Sequence, residues 1–184
     1  MHAEYLLLDG EEHFVKMTGR NRYDISGANN PVKLSIPLNN GRDQRIAMRD
    51  VQVYNQERWQ LNHWRTLVSV YNRSPYFEHY AHTLEPLFTE QYDKLIDFNK
   101  AGLQWVMCQL SMKTGIAAAA AYIKQYPEDV ADLRSYKRDK SLMIPYYQVF
   151  QDRTGYQPDL SILDLLFSEG QVTLHLLHEH AIKR

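Results

Sequence analysis

The sequence predicts a mixed α/β domain in which a small sheet from the first 54 residues is covered by helices from the remainder. Three observations carry this. Short apolar or alternating runs bounded by turn residues fill the N-terminal third. After Gln56 the apolar residues recur at spacings of three and four. With 184 residues, 44% hydrophobic and 23% charged, the chain has the size and balance of one core-forming domain spanning 1–184.

Tyr5-Leu6-Leu7-Leu8, closed by Asp9-Gly10, reads as a buried strand. Such a strand needs neighbours on both sides, so the chain reads as starting inside a longer unit. If Lys16 to Arg22 is extended, Lys16, Thr18, Arg20 and Arg22 project to one side, with Asn21 and Tyr23 opposite. Three cations on one face make a cradle for phosphate or carboxylate, which arginine grips with two parallel hydrogen bonds. The same pattern also describes a solvated edge whose charges discourage strand pairing. Val32 to Leu38 alternates apolar and polar and should pair with the preceding strand across the turn Ser26–Pro31. Asn39 to Arg45 is a polar turn, and Val51-Gln52-Val53-Tyr54 a further strand.

Trp59 to Tyr71 is the central helix, with Leu61, Trp64, Leu67, Val68 and Tyr71 as its apolar face and His63 at the edge of that face. An imidazole there can be a general base, or a half-buried histidine bonded to a carbonyl. Asn72-Arg73-Ser74-Pro75 stops the helix, with Ser74 as N-cap and Pro75 in the first turn of the next. That helix carries Phe77, Tyr80, Leu84, Leu87 and Phe88 and is kinked or ended by Pro86. Thr89 can cap a third helix with a stripe from Tyr92 to Leu110, interrupted by Asn99. A buried amide needs partners, so Asn99 is a bridge between helices or a pocket wall. Cys108 reads as a buried thiol and Gly115 as a helix stop.

Ala117 to Ala121 favours a short helix, and Glu128 to Lys140 a charged surface segment. Tyr146 to Phe150 is an aromatic run bounded by Pro145, and a turn over Thr154–Asp159 follows. In the apolar run from Leu160 to Phe167, Ser161 and Asp164 stand as N-cap and third-position carboxylate of a capping box, and Gly170 ends the helix.

Several function classes are disfavoured. A net charge of −1 gives no general attraction to nucleic acid. No apolar run reaches the length of a membrane span and no signal-peptide pattern opens the chain, so a cytoplasmic protein is expected. A single cysteine allows no intramolecular disulfide. His175 with His178, and His79 with His82, lie one turn apart, but no acidic cluster or zinc-protease pattern supports them, so neither metal nor cofactor is expected. The glycine-rich phosphate loops and the nucleophile elbow are missing as well.

Taken together, HFVKMTGRNRYDI, LSIPL, HWRTLVSVYNRSPYFEHY, Leu95 to Asn99 and YYQVFQDRTGYQPDLSILDLLFSEG resemble the bacterial WbqC-like family. Members usually begin earlier, with a strand and loop before the equivalent of Tyr5, and Gly19 stands where they more often carry a bulky residue. The resemblance implies a role in surface-polysaccharide precursor metabolism, with an anionic or sugar-nucleotide ligand and acyl or aminoacyl transfer to an amino sugar. It implies Lys16, Arg20, Asn21 and Arg22 for phosphates, His63 as base, and Asn99 or Tyr76 orienting the substrate. Such chemistry requires the cations and the imidazole to face a common cavity. The rival expectation is a non-catalytic scaffold that uses the aromatic helices as its partner surface. The oligomeric state is left open by the sequence.

Overall fold

A computed structural model describes residues 4–16, 18–39, 45–134, 144 and 146–181. Residues 40–44 of the expected polar turn, residues 135–143, Pro145 and the side chains of His180 and Ala181 lie outside the described residues. The α/β class holds, with the strands forming two separate pairs. Arg22–Ile25 (β2) and Val32–Ser35 (β3) form the expected antiparallel hairpin. Tyr5–Leu8 (β1) is half-exposed and pairs in parallel with Gly115–Ala118 (β4), from the middle of the chain. The 117–121 stretch is therefore not a helix. Alanine's helical preference is worth only tenths of a kcal/mol per residue, and the ladder to β1, extended by Ala119 N–H donating to Leu8 O at 3.0 Å, outweighs it.

The helices follow the periodicity closely. Trp59–Tyr71 (α1) buries Trp59, His63, Leu67 and Tyr71, each four residues after the last. His63 therefore lies in the middle of the buried face, and Leu61 is displaced from it. Phe77–Leu84 (α2) and Pro86–Thr89 (α3) are divided at the proline, as its missing N–H requires. The start of α2 falls later than expected. Ser74 does not cap it, its hydroxyl is buried without a partner, and Pro75 lies outside the helix. Leu95–Gln109 (α4) likewise starts after Lys94 and not at Thr89, because Asp93, Lys94 and Leu95 first bond to the extended segment around Val51–Val53. That segment makes only isolated bridges, Leu38 with Val53 and Gln52 with Lys94, and is not a strand. The helix α4 ends at Gln109, before Gly115, and leaves Cys108 exposed on its outer side.

Gln151–Thr154 (α5), Ile162–Glu169 (α6) and Thr173–Ala181 (α7) complete the chain, with Gly170 at φ +58° ending α6. The inner face of the β2–β3 hairpin (Ile25, Leu34) packs with α1, α2, α4 and α6 in one aromatic-rich core. Phe167 is its centre, with ring centroids 4.9 Å from Tyr71 and 5.1 Å from Phe77. Among the described residues no helix is long and apolar enough to cross a membrane.

Residues 119–134 are tied to Asp9, just after β1, by Arg134 and by the Tyr126 hydroxyl. Arg134 bonds Asp9 Oδ2 at 3.0 Å, the Ile123 carbonyl at 2.7 Å and Asp132 at 2.6 Å, and lies over the Tyr126 ring. We expect Arg134→Ala to speed proteolytic cutting within 119–134 by about tenfold, with little change in the core melting transition. Equal cutting rates in both proteins would show that the loop is held by something else.

Candidate functional site

The hairpin β2–β3 sorts the expected site residues onto its two faces. Side chains alternate along a strand, so Tyr23 shares the inner face with Ile25 while Arg22 points to the other. On the inner side the Tyr23 phenol lies 3.0 Å from His63 Nδ1, and the Ser35 backbone makes a further hydrogen bond to the ring. Trp59 meets the imidazole edge-on with centroids 5.2 Å apart. Only 5% of His63 is exposed. Burial pushes its pKa down to about 4, against the opposing pull of the Ser35 bond, so the ring is neutral at pH 7. A neutral, bonded imidazole of this basicity orients Tyr23 and the end of β3. Alternation along β2 thus turns Arg22 away from the face that carries Tyr23 and meets His63.

The stretch before β2 is a turn and not an extended ribbon. The Thr18 hydroxyl donates to Val15 O at 2.8 Å, and Asn21 N–H reaches Thr18 O at 3.4 Å. These local bonds compete with a strand, as serine and threonine side chains often do. The turn gives each cation its own setting. Lys16 is exposed. Arg20 forms an ion pair with Glu12 at 2.5 Å, and its carbonyl accepts from Asn99 Nδ2 at 2.8 Å. Asn99 thereby ties α4 to the turn, and not to a second helix as the apolar stripe suggests. Arg22 is half-buried, pairs with no carboxylate among the described residues, and keeps its Nε buried without a partner. Asn21 is 8% exposed, donates to Ile36 O at 3.4 Å, and leaves its Oδ1 buried and unbonded. An orphaned buried polar atom costs about 1–3 kcal/mol.

Tyr76 lies elsewhere. It is 41% exposed, its N–H donates to Phe167 O at 3.0 Å, and its ring covers Gly170 so closely that a Cβ there would lie 2.7 Å from it. Its neighbours are therefore on α6, and Arg20, Asn21 and Asn99 form the group that the turn brings together. Among the described residues no set of three histidine, cysteine, aspartate or glutamate side chains could hold a metal, and His175 instead meets Glu179 at 3.3 Å.

A second polar centre escaped the sequence reading. Asp164 is 0% exposed and its carboxylate does not reach back to its own helix start, where Ser161, the expected N-cap, accepts from Leu163 N–H through its hydroxyl at 3.4 Å. The carboxylate accepts from two phenols, Tyr71 at 2.6 Å and Tyr146 at 2.8 Å. Each phenol oxygen accepts in turn, Tyr71 from Ser26 N–H at 2.9 Å and Tyr146 from Gln148 Nε2 at 3.0 Å. Both phenol protons are thus directed at Asp164, and the bond directions suit an ionised carboxylate. Burial acts the other way and raises its pKa, with the two phenols lowering it in part. Gln148 and Gln157 exchange backbone and side-chain bonds, and Gln157 Nε2 donates to Gly27 O at 2.9 Å, which joins the C-terminal third to the hairpin. The available signal was a lone carboxylate inside the run Leu163–Phe167, otherwise apolar and wholly buried.

A family model described as the WbqC-like protein family matches residues 2–142. No curated protein and no solved structure matches the chain. The match runs through the Thr18–Arg22 turn, the hairpin and the helices α1 to α4, and ends before Tyr146. Covering well over half of the sequence, it makes this chain a member of the WbqC-like protein family.

Proposed function

We propose that the Thr18–Arg22 turn binds the anionic part of a nucleotide-sugar-type substrate, and that the protein is an enzyme of surface-polysaccharide precursor metabolism. Acyl or aminoacyl transfer to an amino sugar is the reaction we assign to it. The supporting observation is the unmet donor Arg22 Nε; the unmet acceptor beside it, Asn21 Oδ1, suits a hydroxyl or water proton and not the anion itself. Buried polar atoms are bonded in the great majority of cases, and exceptions call for a partner such as a water, an ion or a substrate. Arg20 and Arg22 have Cα atoms within about 7 Å of each other by chain length, close enough for one phosphate chain to meet both. Lys16 adds charge from the start of the turn. His63 acts in this reading as a positioning residue through Tyr23, and Asn99 holds the turn in place.

The scaffold alternative draws less support. Phe77 and Tyr80 are buried at 5% and 1% exposure, so the aromatic hairpin faces the core and presents little beyond Tyr76. The bonds from Gln157 to Gly27 and from Asp164 to Tyr71 favour treating 1–184 as one unit. Nucleotide-sugar chemistry fits a cytoplasmic protein.

A UDP- or dTDP-sugar should raise the melting temperature by a few degrees, equivalent to about 1–2 kcal/mol at ligand well above its Kd. Arg20→Ala combined with Arg22→Ala should abolish the shift. Absence of any shift across sugar nucleotides would remove the proposal.

A further inference from the structure

We infer that Glu12 is a built-in competitor for Arg20 and makes the site selective for phosphoryl groups over carboxylates. The inference rests on the proposed role of the Thr18–Arg22 turn. The Glu12 carboxylate sits 2.5 Å from the Arg20 guanidinium, and both side chains are only 21% exposed. Each partner is fixed independently of the pair. Asp9 Oδ1 accepts the N–H groups of Glu11 and Glu12 at 3.0 and 3.1 Å, and the Glu12 carbonyl accepts from Met48 N–H at 2.8 Å. Beside this turn Gly10 is buried, where a Cβ would lie 3.1 Å from Ile96 and 3.3 Å from Arg49. On the other side Asn99 pins the Arg20 carbonyl and the Thr18 hydroxyl accepts from Arg20 N–H at 3.4 Å.

The guanidinium is therefore occupied by an internal anion held in place by two separate frameworks. A tethered group competes at an effective concentration in the millimolar range. An incoming carboxylate offers Arg20 the same charge and the same pair of oxygens as Glu12, so exchange gains little. A phosphoryl group brings up to two charges and three acceptor oxygens, and it can also span to Arg22. Glu12 thus acts as a filter against carboxylate ligands and keeps Arg20 neutralised until a phosphoryl group arrives.

The test is titration calorimetry of UDP and of acetate at fixed ionic strength on the full chain, Glu12→Gln and Glu12→Asp. Glu12→Gln should bind UDP about tenfold more tightly than the parent protein, and should gain more for acetate, so that selectivity falls. Glu12→Asp, one methylene shorter, should change in the same direction by less, and it carries the test if the glutamine variant does not fold. UDP binding that is equal in all three proteins, and lost in Arg20→Ala, removes the filter and leaves the site standing. Binding in neither the parent protein nor the variants removes the site and the filter together. Binding seen only after Glu12 is replaced supports the filter.

Discussion

Replacing Asp164 by alanine is expected to destabilise the protein by about 3 kcal/mol in urea or thermal unfolding. The substitution takes the acceptor from two buried phenols at once, Tyr71 and Tyr146. Neither can turn its proton elsewhere within the cluster, because the groups facing their oxygens, Ser26 N–H and Gln148 Nε2, are donors. Two stranded donors at about 1–3 kcal/mol each set the upper range. Against this stands relief from holding a carboxylate in the core with no cation among the described residues bonded to it, which is why the expected value lies well below the upper sum. Tyr146→Phe, which removes one bond and strands Gln148, should cost about 1 kcal/mol. If Asp164→Ala left stability unchanged or improved it, desolvation of the charge would outweigh the two phenol hydrogen bonds and the cluster would be a source of strain.

Acidification should uncover His63 by a comparable amount. Its folded pKa of about 4 lies below the ordinary 6.5, so the unfolded chain binds the proton more readily between these values. The contribution of the neutral ring is fully present above pH 6.5 and is lost as the pH falls toward 4. The difference corresponds to about 3 kcal/mol. Asp164 acts with the opposite sign. Its pKa is raised in the fold, so its burial penalty is present above that raised value and is relieved as the pH falls through it. A pH series on one protein would mix the two, and the informative quantity is the stability difference between the parent protein and His63→Leu. That difference should shrink by about 3 kcal/mol from pH 7 to pH 4. A flat difference would mean that the imidazole titrates normally and is better hydrated than its position suggests.

The helices were legible because their signal is local. Pro86 divides α2 from α3, and the spacing of Phe77, Tyr80, Leu84 and Phe88 on one side carries straight through to burial. Where the reading failed, distant segments decided. Gly115–Ala118 is extended because Tyr5–Leu8 lies beside it, and nothing within the alanine run announces that. The Lys16–Arg22 alternation suggested a strand, but Thr18 bonds its own neighbourhood and turns the chain. The candidate site shows the same division. Arg20, Asn21, Arg22 and Asn99 are candidates by residue type and by the family resemblance, and Asn99, a polar residue in an apolar stripe, finds its partner in the turn and not on another helix. The partnering of Arg20 with Glu12 could not be read from either residue. Asp164 was hidden by the capping-box spacing: Ser161 does cap the helix, while the Asp164 carboxylate bonds Tyr71 and Tyr146 instead.

Leu8 stands beside Ala118, a separation of 118 − 8 = 110 positions in the chain. During synthesis at roughly 5–20 residues per second, the segment Tyr5–Leu8 leaves the ribosome roughly 5–20 s ahead of the strand it joins. For that interval the leucine-rich ribbon waits for its β4 partner, and holdase chaperones have their opportunity there. Production of this protein should therefore respond to temperature and translation speed more than its short, quickly formed helices alone would suggest.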